Sequence, residues 1–184
     1  DELRKNLSDD IKLVHVVGGL APHSDEPMPQ QQREMIENIW HEIEAKVGTK
    51  FNYDFWKENT PRRSTYLSCQ ATMLARYEGL EDEMITAIQE AYYLKAKNPS
   101  DASILIACAK QIGMDEKKFE EDLKSQKIEE DLMNELNLRR SINVRSFPSL
   151  VLKYKKEIYP INIQFGDYKA MLAQIENMKE NTYF

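Results

Sequence analysis

Hydrophobic positions along this chain fall into two regimes with different periods. Ile11, Leu13, Val14, Val16 and Val17 crowd a short run that two glycines end at Gly18 and Gly19. A valine-rich run bounded this way predicts a buried strand, Ile11 to Val17, suited to a parallel sheet. Ahead of it, Leu3 and Leu7 stand one helical turn apart before a polar break, as in the tail of a helix. "LAPHSDEPMPQ" follows, with three prolines and no periodicity, and reads as a loop.

From about Gln30 the period becomes 3.6. Met35, Ile36, Ile39, Trp40, Ile43 and Val47 form one stripe that Gly48 ends, the mark of an amphipathic helix. After the aromatic-rich connection "FNYDFWKENTPRRST", helices are expected from Thr65 to Glu78 and through Leu80, Met84, Ile88 and Ala91. "KNPSD" stops the second, and Ser100 or Asp101 is placed to cap the next, which holds "ILIACAKQI". Asp115 is placed to cap "EKKFEEDLKS", and Ile128, Leu132 and Leu136 mark one more helix. The period then returns to two. Leu150, Leu152 and Tyr154 alternate with Val151 and Lys153, and Lys155-Lys156 can turn the chain into "EIYPINI". Pro160 assigns that second strand to a sheet edge. Tyr168, Met171, Leu172 and Ile175 share one side of a closing helix.

This order predicts an α/β protein in which residues 1–28 and 142–184 build one domain and residues 29–141 form an inserted helical domain. The length, 184 residues, supports a sizeable core, and 30% charged against 41% apolar residues is ordinary for a globule. A formal charge of −6, with no basic run or stripe evident, argues against nucleic-acid or anionic-lipid partners. Arg62-Arg63 and Arg139-Arg140 read as helix-end or surface pairs. No apolar run approaches about 18 residues, so no membrane span is expected.

Candidate chemistry is sparse. Cys69 and Cys108 lie far apart, outside any C-x-x-C, each at helical spacing from apolar residues. They read as small buried residues in a reducing compartment. "HEIEA" lacks the second histidine of a zinc-protease helix, and His15, His23 and His41 are scattered, so no metal site is expected. "VVGGLAP" lacks the Lys-Ser/Thr of a phosphate loop, and no G-x-S-x-G elbow occurs. The unusual feature is Phe147-Pro148 at the mouth of a strand, in "NVRSFPSLVLKY". Proline gives no N–H to a ladder and belongs at a strand's first residue, an edge or a bulge.

The segments "VVGGLAP", "FWKENTPRRSTYLSCQATMLAR", "AIQEAYYLKAKNPSD" and "SFPSLVL" together resemble the DsbA-like thioredoxin-fold proteins. The similarity is to the bacterial protein-disulfide isomerase branch related to FrnE, and it covers essentially the whole chain. The resemblance implies a thioredoxin-like fold with a large all-helical insertion. It also implies a cis bond before Pro148 and substrate contact at Ser146, Phe147 and Pro148. The activity implied is thiol–disulfide oxidoreduction or protein-disulfide isomerisation on a thiol- or disulfide-containing protein or peptide, without a cofactor, in the cytoplasm. A periplasmic location follows if a signal peptide lies upstream of Asp1.

The family's C-x-x-C, at the start of the helix after the first strand, is missing, so no catalytic residue is assigned in this chain. "DELRKNLSDD" matches the end of that helix, and the expectation is that the strand and cysteines lie upstream of Asp1. The first strand would sit between Ile11–Val17 and the Pro148 hairpin. Kappa-class glutathione transferases and chromene-carboxylate isomerases share the layout, with glutathione as cofactor and a lone serine for the cysteine pair. A redox-inactive peptide-binding module is the remaining alternative.

Overall fold

The structure is a computed structural model that describes residues 2–180. The chain forms two compact units, Val17–Leu136 and the pair of segments Asp1–Val16 with Asn137–Phe184. These divisions fall earlier in the chain than the expected 28/29 and 141/142, because Val17 and the apolar residues of the last long helix up to Leu136 pack into the helical unit.

The helical unit contains α2 (Gln30–Val47), α3 (Asp54–Glu58), α4 (Tyr66–Tyr77), α5 (Glu81–Gln89), α6 (Ala102–Gln111), α7 (Glu116–Leu123) and most of α8 (Gln126–Ser141). A single π-helical turn, Glu90–Leu94, extends α5. Ile128, Leu132 and Leu136 bury on one face of α8 against Met84, Leu105 and Phe119. Each such side chain, fully withdrawn from water, contributes roughly 1.5–3 kcal/mol of apolar transfer. Asp115 caps α7 by accepting from Lys118 N at 2.7 Å. Asp101 occupies the cap position of α6 but makes no side-chain cap bond, and it pairs with Arg62 instead.

The stripe expected on α2 divides in two. Trp40 is buried and Ile36 packs beside it, whereas Met35, Ile39, Ile43 and Val47 are exposed. Trp40 is the hub of an aromatic cluster, its ring centroid 4.9–6.1 Å from those of Phe51, Tyr53, Phe55, Trp56, Tyr92 and Tyr93. The aromatic-rich connection thus folds as a second core, with α3 inside it.

The other unit has α1 (Glu2–Lys5), an antiparallel hairpin of β1 (Leu150–Tyr154) and β2 (Glu157–Ile161), and α9 (Tyr168–Glu180). Leu150 faces Ile161 and Leu152 faces Tyr159 in the register, with Pro160 opposite Val151. Leu152, Ile161 and Ile175 form its core, with Leu3, Leu7 and Ile11 packed against them. Lys179 of α9 donates to Asp10 at 2.9 Å and ties the N-terminal segment down.

Ile11–Val17 departs from expectation. Its backbone is irregular, and among the described residues it has no strand partner, while Val14 is 62% exposed. A run with strand composition becomes a strand only when another strand accepts its ladder. The sheet of the described residues is the β1–β2 hairpin alone.

Candidate functional site

The site is built by the end of α8. Asn143 takes the left-handed conformation with φ 56°, as the residue after a helix often does. Its N–H reaches Arg140 O at 3.0 Å, and the N–H of Val144 reaches Arg139 O at 3.1 Å. This paired closure is a Schellman motif, and it sets the direction in which residues 145–149 leave the helix. Arg145 Nε donates to Asn143 Oδ1 at 3.1 Å. The peptide bond between Phe147 and Pro148 is cis, and Ser149 Oγ donates across it to Ser146 O at 2.6 Å. β1 begins at Leu150, directly after this loop.

Ser146, Phe147 and Pro148 therefore come together on one exposed loop. Phe147 is 41% exposed, and the Arg139 guanidinium stands 5.5 Å from its ring centroid, a cation–π distance. Among the described residues, the backbone N–H groups of Arg145, Ser146 and Phe147 have no hydrogen-bond acceptor. Arg145, Ser146 and Pro148, but not Phe147, line an open cavity of about 620 Å³ together with the first residues of β1 and the end of β2.

A second cavity, about 410 Å³ and more apolar, lies within the same unit. Ile11–Leu13, Val14 and Val16 line one side, and the whole of β1 lines the other. β1 is hydrogen-bonded to β2 along one edge, and its other edge has no strand partner among the described residues. A strand and an irregular run of sheet composition thus line one mostly apolar groove.

The two cysteines belong to the helical unit. Cys108 is buried and Cys69 half-buried. Burial pushes both thiols up, and a hydrogen bond with the Gly19 backbone only partly offsets this at Cys69. A thiol in that state holds little thiolate at neutral pH, and the thiolate is the nucleophile. Among the described residues, no group of three or more His, Cys, Asp and Glu side chains could hold a metal ion. No helix among them is long and apolar enough to cross a membrane.

A family model described as thioredoxin matches residues 3–174. The chain belongs to the thioredoxin family. Two solved structures of similar fold are a candidate protein disulfide isomerase from Nitrosomonas europaea and the cytosolic disulfide reductase DsbM from Pseudomonas aeruginosa with GSH. The first has TM-score 0.74 at 18% identity and covers 87% of this chain and 79% of its own. The second has TM-score 0.71 at 16% identity and covers 97% and 89%. At such identities the likeness is one of fold, and it places this thioredoxin-family chain beside DsbA-like proteins.

Two curated relatives are ClpXP adapter proteins SpxH. That of Halalkalibacterium halodurans is 28% identical over 123 residues, 66% of this chain and 40% of its own length. That of Bacillus subtilis is 23% identical over 124 residues, 66% of this chain and 42% of its own. The chain spans about two fifths of the length of the curated relatives it matches. The proline at the strand mouth marked the start of β1 in the sequence, whereas the cis bond was expected only from the family resemblance. The groove beside Ile11–Val16 was expected there as a missing strand, and its lining by Leu3, Leu7 and Leu138 was not.

Proposed function

We propose that this thioredoxin-family chain is the scaffold of a cytoplasmic thiol–disulfide oxidoreductase acting on proteins or peptides. Its reactive dithiol is carried by a strand and helix that pair into the groove between Ile11–Val16 and β1. The observation that carries the reading is this groove, mostly apolar, lined by the unpaired run Ile11–Val14 with Val16 and by β1, whose edge away from β2 has no strand partner among the described residues. A strand laid there would satisfy both edges, and buried groups left unpaired would cost roughly 1–3 kcal/mol each. A helix starting just after such a strand stabilises a thiolate at its N-terminus, which is the state that attacks a disulfide. Ser146, Phe147 and Pro148 contact the substrate, whose extended backbone accepts from the free N–H groups of the loop.

Insulin reduction, measured for residues 1–184 and for the same chain with its native upstream residues, tests the reading. The expected result is turnover by the longer chain alone, abolished by Cys→Ala in the upstream C-x-x-C. A longer chain that has the motif and stays inactive, or one without the motif, would overturn it.

The second reading is a redox-inactive protein-binding module. The curated relatives named as ClpXP adapter proteins favour it. It predicts protein binding at the Pro148 loop with no disulfide turnover by either chain.

A further inference from the structure

The protein is acidic, yet its charge is sharply segregated around the Pro148 loop. From Leu136 to Lys156 the sequence holds Arg139, Arg140, Arg145, Lys153, Lys155 and Lys156 and no Asp or Glu, within a chain of formal charge −6. Arg139-Arg140 is indeed a helix-end pair, in the last turn of α8. The Schellman closure carries the chain from that pair directly into the loop, where Arg145 lines the 620 Å³ cavity and Arg139 stands over the Phe147 ring. No carboxylate lines the 620 Å³ cavity. Arg140 donates to Asn137 Oδ1 at 3.1 Å and Arg145 to Asn143 Oδ1 at 3.1 Å, both neutral acceptors. Among the described residues neither guanidinium meets a carboxylate, although elsewhere Arg62 and Arg76 both do. Both side chains are exposed, so their charge is presented to water and to whatever docks.

We propose that this surface selects acidic polypeptide segments, bound extended, with Asp or Glu side chains flanking the part that lies on residues 145–147. The proposal deepens the reading of the Pro148 loop as a substrate-binding site and rests on it. The charge complementarity names the partner's chemistry. The unpartnered N–H groups of Arg145, Ser146 and Phe147 supply donors for its backbone carbonyls. The guanidinium fork suits carboxylates in two-point contact. Lys153 stands about 10 Å along β1 from Leu150 at 3.3–3.4 Å per residue, and Lys155 and Lys156 follow in the hairpin turn. They lie beyond the screening length of about 8 Å at physiological salt and act by steering rather than contact. A nucleic acid is the less favoured polyanion. The loop presents one exposed aromatic ring, Phe147, and a single-strand track would need several for successive bases.

The test is fluorescence anisotropy on the full chain with short labelled peptides that share one core, any cysteine replaced by serine. The flanks are acidic, neutral amide or basic, and a single-stranded oligonucleotide of matching negative charge is included. Binding then does not depend on thiol chemistry, so failure of the oxidoreductase reading would leave this measurement intact. The acidic peptide is expected to bind about tenfold tighter than the basic one at low salt, the difference shrinking as salt rises. The double variant Arg140→Glu with Arg145→Glu, folded by its circular dichroism and thermal transition, is expected to reverse the preference. Equal binding of all three peptides overturns the proposal, and the wild-type series decides this without any variant. So does a preference that survives the charge reversal, or an oligonucleotide that binds tighter than the acidic peptide and is lost on reversal.

Discussion

At Gly19 the backbone has φ +55°, and a Cβ built there would lie 2.4 Å from Leu136 Cδ2 and 3.2 Å from Tyr66 Cε1. Leu136 is fully buried among α8 and its neighbours and has little room to retreat. Gly19→Ala is therefore expected to destabilise the helical unit by about 2 kcal/mol or more, from overpacking and the positive φ together. Urea denaturation gives the number, and an unchanged midpoint would show that the contact relaxes freely. The cysteines make a second prediction at this scale. With both thiols pushed up by burial, Cys69 and Cys108 should react with a thiol reagent at pH 7 at least about tenfold more slowly in the folded chain than in denaturant. Rapid modification of the native protein by such a reagent would contradict the assignment of both residues to packing.

Among the elements, the aromatic cluster on α2 and α3 and the tie between α9 and the N-terminal segment make separate predictions. Trp40→Ala removes the hub of the cluster and should cost about 3–5 kcal/mol, read by chemical denaturation. The Ser8 hydroxyl and then the Lys179 ammonium hold the Asp10 carboxyl below the usual carboxylate range. A depressed folded value means that the tie contributes above the unfolded value of about 3.9 and is lost as pH falls through the folded one. Thermal melts should show a modest deficit for Asp10→Asn at pH 6 that shrinks as the pH falls below the ordinary carboxylate value. A deficit independent of pH would mean that the charge is immaterial.

Element types were readable from the sequence wherever one chain segment carried its own pattern. The spacing of Ile128, Leu132 and Leu136 announced the buried face of α8, Asp115 the start of α7, and Leu150 to Tyr154 the strand β1. Ile11–Val17 failed because its composition is that of a strand while strandedness belongs to a pair. The α2 stripe was only half right, because a period shows which residues share a face and not how much of that face is covered. Met35 and Ile39 lie on its open side. The three arginines of the Pro148 loop were hidden for a related reason. Arg139 comes to stand over the Phe147 ring, and Arg145 to line the 620 Å³ cavity, only after the chain reverses at Asn143.

For the whole molecule, the account turns on an apolar groove with a strand-bearing wall on one side and an unpartnered run of strand composition on the other. Amide hydrogen exchange of Leu150–Tyr154 tests this most directly, measured in residues 1–184 and in the chain extended by its native upstream sequence. On the side of β1 away from β2, the amides should exchange quickly in the first and be slowed by about a hundredfold or more in the second, as a paired strand protects them. Exchange at β1 that is equally slow in both chains, or equally fast, would contradict the claim that a further strand belongs in this groove.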